Sequence, residues 1–145
     1  MRKRAGIFGI TAMICVWATT VCAADIMVSS GWFRALPSGQ PAGGYFTMHN
    51  RGAAPAELVA ASSTACGMIM LHRSVESSGM SRMMDVTSVS VPANGTVAFA
   101  PGGYHLMCMD PGSAMAPGKT VPVTLVFSDG SKTHADFGVK NAAGK

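Results

Sequence analysis

Two short stretches gather most of the side chains that could do chemistry. In Met68-Ile69-Met70-Leu71-His72 and in Tyr104-His105-Leu106-Met107-Cys108-Met109, histidines and methionines alternate with other residues. A strand turns successive side chains to opposite faces. Read as strands, the first puts Met68, Met70 and His72 on one face, with Ile69 and Leu71 on the other. The second puts His105, Met107 and Met109 together, with Leu106 and Cys108 opposed. Between them runs Met80-Ser81-Arg82-Met83-Met84, in or beside a loop. Imidazole and thioether are the donor pair that suits a soft ion of low coordination number, Cu(I) above all, with Ag(I) equally soft.

Thioethers have a specific advantage outside the cytosol. A thiolate site in an oxidising compartment risks becoming a disulfide, whereas methionine has no proton to lose and no thiol to oxidise. Neutral donors leave the bound ion its own single positive charge, so a thiolate acceptor can take it. Taken singly, many of these residues have plainer readings. Met68 and Met70 read as core, and Met84 and Met109 stand evenly between packing and ligation. His49 and His134 read as solvated. Met27, Met48 and Met115 read as packing or surface residues.

The elements that must position these donors follow a leader. Met1-Arg2-Lys3-Arg4 is cationic, the run from Ala5 to about Val21 carries no charge, and small residues precede Asp25. That order describes a secretory signal peptide over residues 1–24. The apolar run is short for a membrane anchor. Lipidation of Cys22 would want a smaller residue before it than Val21. Of 11 Lys and Arg, three leave with the leader, so eight cations face seven acids and the mature charge is +1. No basic patch or run remains, which excludes the footprint of a nucleic-acid binder. Of 12 methionines, Met1 and Met13 leave; ten in about 120 residues is well above ordinary usage. Cys15 and Cys22 leave too. Cys66 and Cys108 remain, either as a disulfide closing a loop of about 40 residues and worth roughly 3–4 kcal/mol, or as two buried free thiols.

Residues 25–140 read as one all-β domain, and 141–145 as a short tail. Strand candidates are Ile26–Arg34, Gly44–His49, Glu57–Ser62, Met68–Val75, Val86–Val91, Thr96–Phe99, Tyr104–Met109, Val121–Phe127 and Lys132–Val139, with Ser77-Ser78-Gly79 marking a turn before Met80–Met84. The last two flank Ser128-Asp129-Gly130-Ser131, an Asp-Gly hairpin signal. About seven to nine short antiparallel strands at this spacing make a sandwich or barrel.

The spacing of the donors is His72, ten residues, Met83, twenty-one residues, His105, one residue, Met107. It resembles the H-x10-M-x21-H-x-M signature of the periplasmic copper chaperones called PCu(A)C. Gly31-Trp32-Phe33-Arg34, Gly44–Gly52, Leu71-His72, Pro101–Met107, Val121–Phe127 and Asp129-Gly130 are similar to further motifs of that family, so the resemblance covers nearly the whole mature chain. It implies a cupredoxin-like Greek-key fold and Cu(I) held by His72, Met83, His105 and Met107. It also implies delivery toward the Cu(A) centre of cytochrome c oxidase, with subunit II of the oxidase or a Sco-type protein as acceptor. Tyr104 and the Pro101–Gly103 turn would support the ligands. The end Asn141–Lys145 lacks the His- and Met-rich tail of some relatives, which puts a second, Cu(II) site in doubt.

Two other readings compete. An electron-transfer cupredoxin needs a thiolate beside its histidines, and Cys108 would have to supply it. A metal-free exported β-sandwich would use its methionines for packing alone. An enzyme is disfavoured: the chain shows no Ser-His-Asp arrangement, no suggestive carboxylate pair and no phosphate loop.

Overall fold

The computed structural model describes residues 25–145; the signal peptide expected over residues 1–24, with Cys15 and Cys22, lies outside the described residues. Ten strands follow one another: β1 Ile26–Arg34, β2 Ala42–Asn50, β3 Ala56–Ser62, β4 Cys66–Ser77, β5 Met80–Asp85, β6 Val89–Val91, β7 Thr96–Phe99, β8 Tyr104–Pro111, β9 Thr120–Phe127 and β10 Lys132–Lys140. A single 3-10 turn, Pro37–Gly39, lies between β1 and β2. Among the described residues no helix is long and apolar enough to cross a membrane.

The strands form one hydrogen-bonded sheet in the order β5-β4-β8-β7-β2-β1-β10-β9-β3-β6, with β8 also pairing β2. The sheet bends around a single core to which both halves contribute, including Phe33, Phe46, Leu71 and Leu106 from one and Leu58, Val123, Leu125 and Phe137 from the other. The all-β, cupredoxin-like class stands. The expected strand count of seven to nine is corrected to ten, because the Met80–Met84 stretch is an edge strand and not a loop. The pairing is not wholly antiparallel either: β1 runs parallel to β10, and Phe99 meets Tyr104 in a parallel β7–β8 contact.

Two local features place the outer face. In β1, Ile26 and Val28 point inward, but the register breaks between Ser29 and Trp32, where Ser30 has φ 55°. One extra residue in a strand flips the parity of all that follows. Phe33 therefore enters the core, and Trp32 and Arg34 turn outward. In β2, alternation is strict, so Gly43 and Tyr45 share the outer face. A Cβ on Gly43 would lie 2.8 Å from Tyr45 Oη; the missing side chain lets the tyrosine ring fold over the sheet.

A disulfide joins Cys66 to Cys108, with 5.4 Å between their Cα atoms. It ties the start of β4 to β8 from the core side, where Cys108 is completely buried. Asn50 is the other anchor: its Nδ2 donates to Ala54 O at 2.8 Å and Val91 O at 3.1 Å, and its Oδ1 accepts from the Gly52 N–H.

Candidate metal centre

β4 and β8 pair antiparallel in unbroken register, with Met68 opposite Met109, Met70 opposite Met107 and His72 opposite His105. The alternation read from the sequence therefore produces a common face. Ile69, Leu71, Leu106 and Cys108 go to the core side, and the histidines and methionines go out. β5 adds to the same face, because Asp85 lies opposite His72 and Met83 opposite Ser74.

The two imidazoles meet edge to face, their centroids 5.6 Å apart and their planes at 88°. His105 is 4% exposed. Its Nδ1 lies 3.2 Å from Gly103 O. A carbonyl can only accept, so Nδ1 carries the proton and Nε2 keeps a bare lone pair. That Nε2 is buried and makes no hydrogen bond. Burial pushes the His105 pKa below its ordinary 6.5, with the neighbouring His72 adding to the effect and the Gly103 contact opposing it. The ring is thus neutral at pH 7. The Gly103 oxygen also accepts from the Ser74 N–H, which ties the Pro101–Gly103 turn to β4.

His72 is supported from the other side. Its Nε2 lies 2.7 Å from Asp85 Oδ1. The contact is close enough for an ion pair but lacks the alignment of a hydrogen bond, and Nδ1 has no partner. A buried polar atom without a partner is uncommon in a folded protein; here His72 Nδ1 and His105 Nε2 are two such atoms, on rings in edge-to-face contact.

Met83, His105 and Met107 line one cleft of about 330 Å³, together with Arg34 and Tyr45. His72 does not line it but touches the ring of His105. Met83 is 64% exposed and Met107 half-buried. Among the described residues no group of three or more His, Cys, Asp or Glu could hold a metal ion.

Of the four residues singled out by spacing, three line one cleft and His72 contacts the ring of His105. Met84 pairs with Arg73 and faces the opposite side from Met83. Met109 shares the donor face but lies two pairs beyond the histidines. Met68 is exposed, which corrects its reading as a core residue. His49 is held by Ser29 Oγ and Thr96 Oγ1 and is structural as much as solvated. His134 contacts Thr124 Oγ1 on the surface. Tyr104 does not support the ligands. It packs against Phe99 on the core side and under Arg73, and Tyr45 instead lies 6.4 Å from His105. Residue spacing gave no sign of Tyr45, Arg34 or Asp85. The Arg34 guanidinium lies over both Trp32 and Tyr45, at 5.4 and 5.6 Å from rings that are themselves 4.9 Å apart, and its buried Nε has no partner. The electron-transfer reading fails here: Cys108 faces away from His105 and is bound to Cys66, so among the described residues no thiolate remains.

The sequence matches the family described as "Putative lipoprotein LpqE-like" over residues 26–139. A putative lipoprotein of Leifsonia xyli, Lxx21020, is 35% identical over 120 residues, covering 82% of this chain and 72% of the relative. Among solved structures, the copper-bound PCuAC domain from PmoF2 superposes with a TM-score of 0.68. It is 22% identical, and the match covers 83% of this chain and 96% of that domain. The Cu(I) form of DR1885 from Deinococcus radiodurans is 28% identical at a TM-score of 0.62, over 85% of this chain and 81% of its own.

Proposed function

The chain belongs to the LpqE-like family and has the PCuAC copper-chaperone fold, and from that premise we propose that it is an exported carrier of one Cu(I) ion. His72, Met83, His105 and Met107 are the proposed ligands. The observation that carries this reading is the bare, buried Nε2 of His105, whose ring packs against that of His72, with its free Nδ1, and lines one cleft with Met83 and Met107. A second residue that fixes the tautomer of a ligand imidazole is the usual partner of a metal-binding histidine. Gly103 O has that role for His105. The Asp85 carboxylate, 2.7 Å from His72 Nε2, stands where it can orient the other ring, and His72 Nδ1 has no partner.

Release follows from the same donors. All four are neutral and two lie at the surface, so an approaching thiolate can displace the thioethers one at a time. The proposed destination is the Cu(A) centre of cytochrome c oxidase, through subunit II or a Sco-type protein. Export rests on the disulfide, which persists in oxidising compartments, and on the family; the periplasm and cleavage after residue 24 are the proposed specifics. The mass of the mature protein from its native host tests them. A chain beginning at Asp25 agrees, and a lipid-bearing Cys22 does not.

The functional test is anaerobic Cu(I) titration against a competing chelator. The wild type should hold one tightly bound equivalent at the His site, and His105→Ala and Met83→Leu should each weaken it. Wild-type protein that takes no copper from the chelator would remove the proposal.

A further inference from the structure

The donor face does not stop at the proposed ligands. Beyond the His72–His105 pair the β4–β8 register sets Met70 opposite Met107 and then Met68 opposite Met109, two successive cross-strand pairs of methionine. Directly opposed residues on one face have Cβ atoms about 5 Å apart, and diagonal ones about 7–8 Å. Both spans lie within the reach of an unbranched methionine side chain. Of the four, only Met107 lines the cleft.

Met68, Met70 and Met109 are therefore unexplained. The core does not use them: Ile69, Leu71, Leu106 and Cys108 of the same strands fill it. Met68 is 56% exposed, and Met70 and Met109 are half-buried. The outer face of an antiparallel sheet ordinarily carries polar or β-branched residues. Three thioethers there form a neutral, polarisable donor cluster. That donor set suits a soft monovalent ion and offers nothing to Mg²⁺ or Ca²⁺, which take oxygen ligands.

We propose that Met68, Met70 and Met109 form a second soft-metal site, made of thioethers alone, which binds Cu(I) more weakly than the His-containing site beside it. The inference rests on the copper reading for its cargo, but it uses none of the side chains that line the cleft. Its weakness follows from its open position and its lack of imidazole. Its location, next to Met107, makes it an entry step: an ion captured at Met68 and Met109 needs only to exchange thioethers along β4 and β8 to reach His105.

The test is a Cu(I) titration of the full chain under anaerobic conditions, followed through the ¹³C-labelled ε-methyl groups of methionine. The first equivalent should move Met83 and Met107, and a second, weaker one should move Met68, Met70 and Met109. Met68→Leu/Met109→Leu preserves side-chain volume and should lose the second equivalent while keeping the first. His105→Ala should weaken the first and keep the second. The inference is overturned if the double variant still takes two equivalents, or if the Met68 and Met109 methyls stay still while a single equivalent binds at the histidines. In that last case the proposed function stands without it. Absence of any copper uptake would overturn both.

Discussion

Replacing both members of the disulfide, Cys66→Ala with Cys108→Ala, separates what holds the domain together from what holds the donors in place. The crosslink spans 42 residues. On the chain-entropy model, opening a loop of that length releases about 4 kcal/mol of conformational freedom into the unfolded state. Unfolding entropy near 60 °C is about 2.1 cal/mol/K per residue, or about 0.25 kcal/mol/K over residues 25–145. The quotient is a fall in Tm of about 15 °C. Losing the buried sulfur of Cys108 adds a cavity term of the same sign. The donors should respond differently. Their spacing is set by the β4–β8 ladder, continuous from Met68↔Met109 to Arg73↔Tyr104, and the sulfur bridge lies on the opposite, core side. Copper affinity of the folded variant should therefore escape the roughly 10- to 100-fold loss typical when a group that orients a ligand is removed. Differential scanning calorimetry and chelator competition at 25 °C measure the two quantities. A Tm shift under about 5 °C would show that the reduced unfolded chain already keeps β4 and β8 together. Collapse of copper affinity in folded protein would show that the bridge, and not the ladder, sets the site.

Three further outcomes follow from the site and its surroundings. The lowered pKa of His105 means that, as pH falls from its ordinary 6.5 to the folded value, the unfolded chain takes up a proton that the folded chain refuses. Stability from this group is therefore level above 6.5 and declines through that window; copper affinity should be flat between pH 7 and 8, and a steady rise there in competition assays would contradict a neutral His105. Asp85→Asn removes the carboxylate beside His72 Nε2 and should weaken copper binding by about tenfold with the fold unchanged by circular dichroism; an unaltered affinity would leave Asp85 without a part in holding the ring. Gly44→Ala would bring a Cβ to 2.6 Å from Phe33 Cε1 and 3.1 Å from Leu106 Cβ, an overpacking that should destabilise by about 1–3 kcal/mol in denaturant unfolding, and a neutral result would mean that this part of the core yields.

The donor side of this architecture was legible because strand periodicity is local. Alternation alone put His105 with Met107 and His72 with Met70, and spacing related Met83 to them. Alternation does not say which face is inward, and Met68 shows the consequence: a methionine read as core lies on the exposed side. Nor does it reveal a neighbour. Asp85 reaches His72 only through the β4–β5 pairing, and Tyr45 reaches His105 only because β2 lies beside β8. Arg34 was hidden for another reason. The β1 limits, Ile26–Arg34, were readable to the residue, but the break at Ser30 was not, and that break turns Trp32 and Arg34 outward. Met83 sat in a stretch that polar neighbours made loop-like; pairing with one side of β4 is enough to keep such a segment extended at a sheet edge. The fate of the two cysteines depended on the register of strands about forty residues apart, which only the folded sheet supplies.

X-ray absorption at the copper K-edge of the protein loaded with one equivalent of Cu(I) tests the central claim most directly. Imidazole nitrogen and thioether sulfur should appear together in the first coordination shell, with the nitrogen contribution reduced in His105→Ala and the sulfur contribution reduced in Met83→Leu/Met107→Leu. A shell of nitrogen and oxygen alone, or one that none of these substitutions changes, would place the ion elsewhere in the molecule.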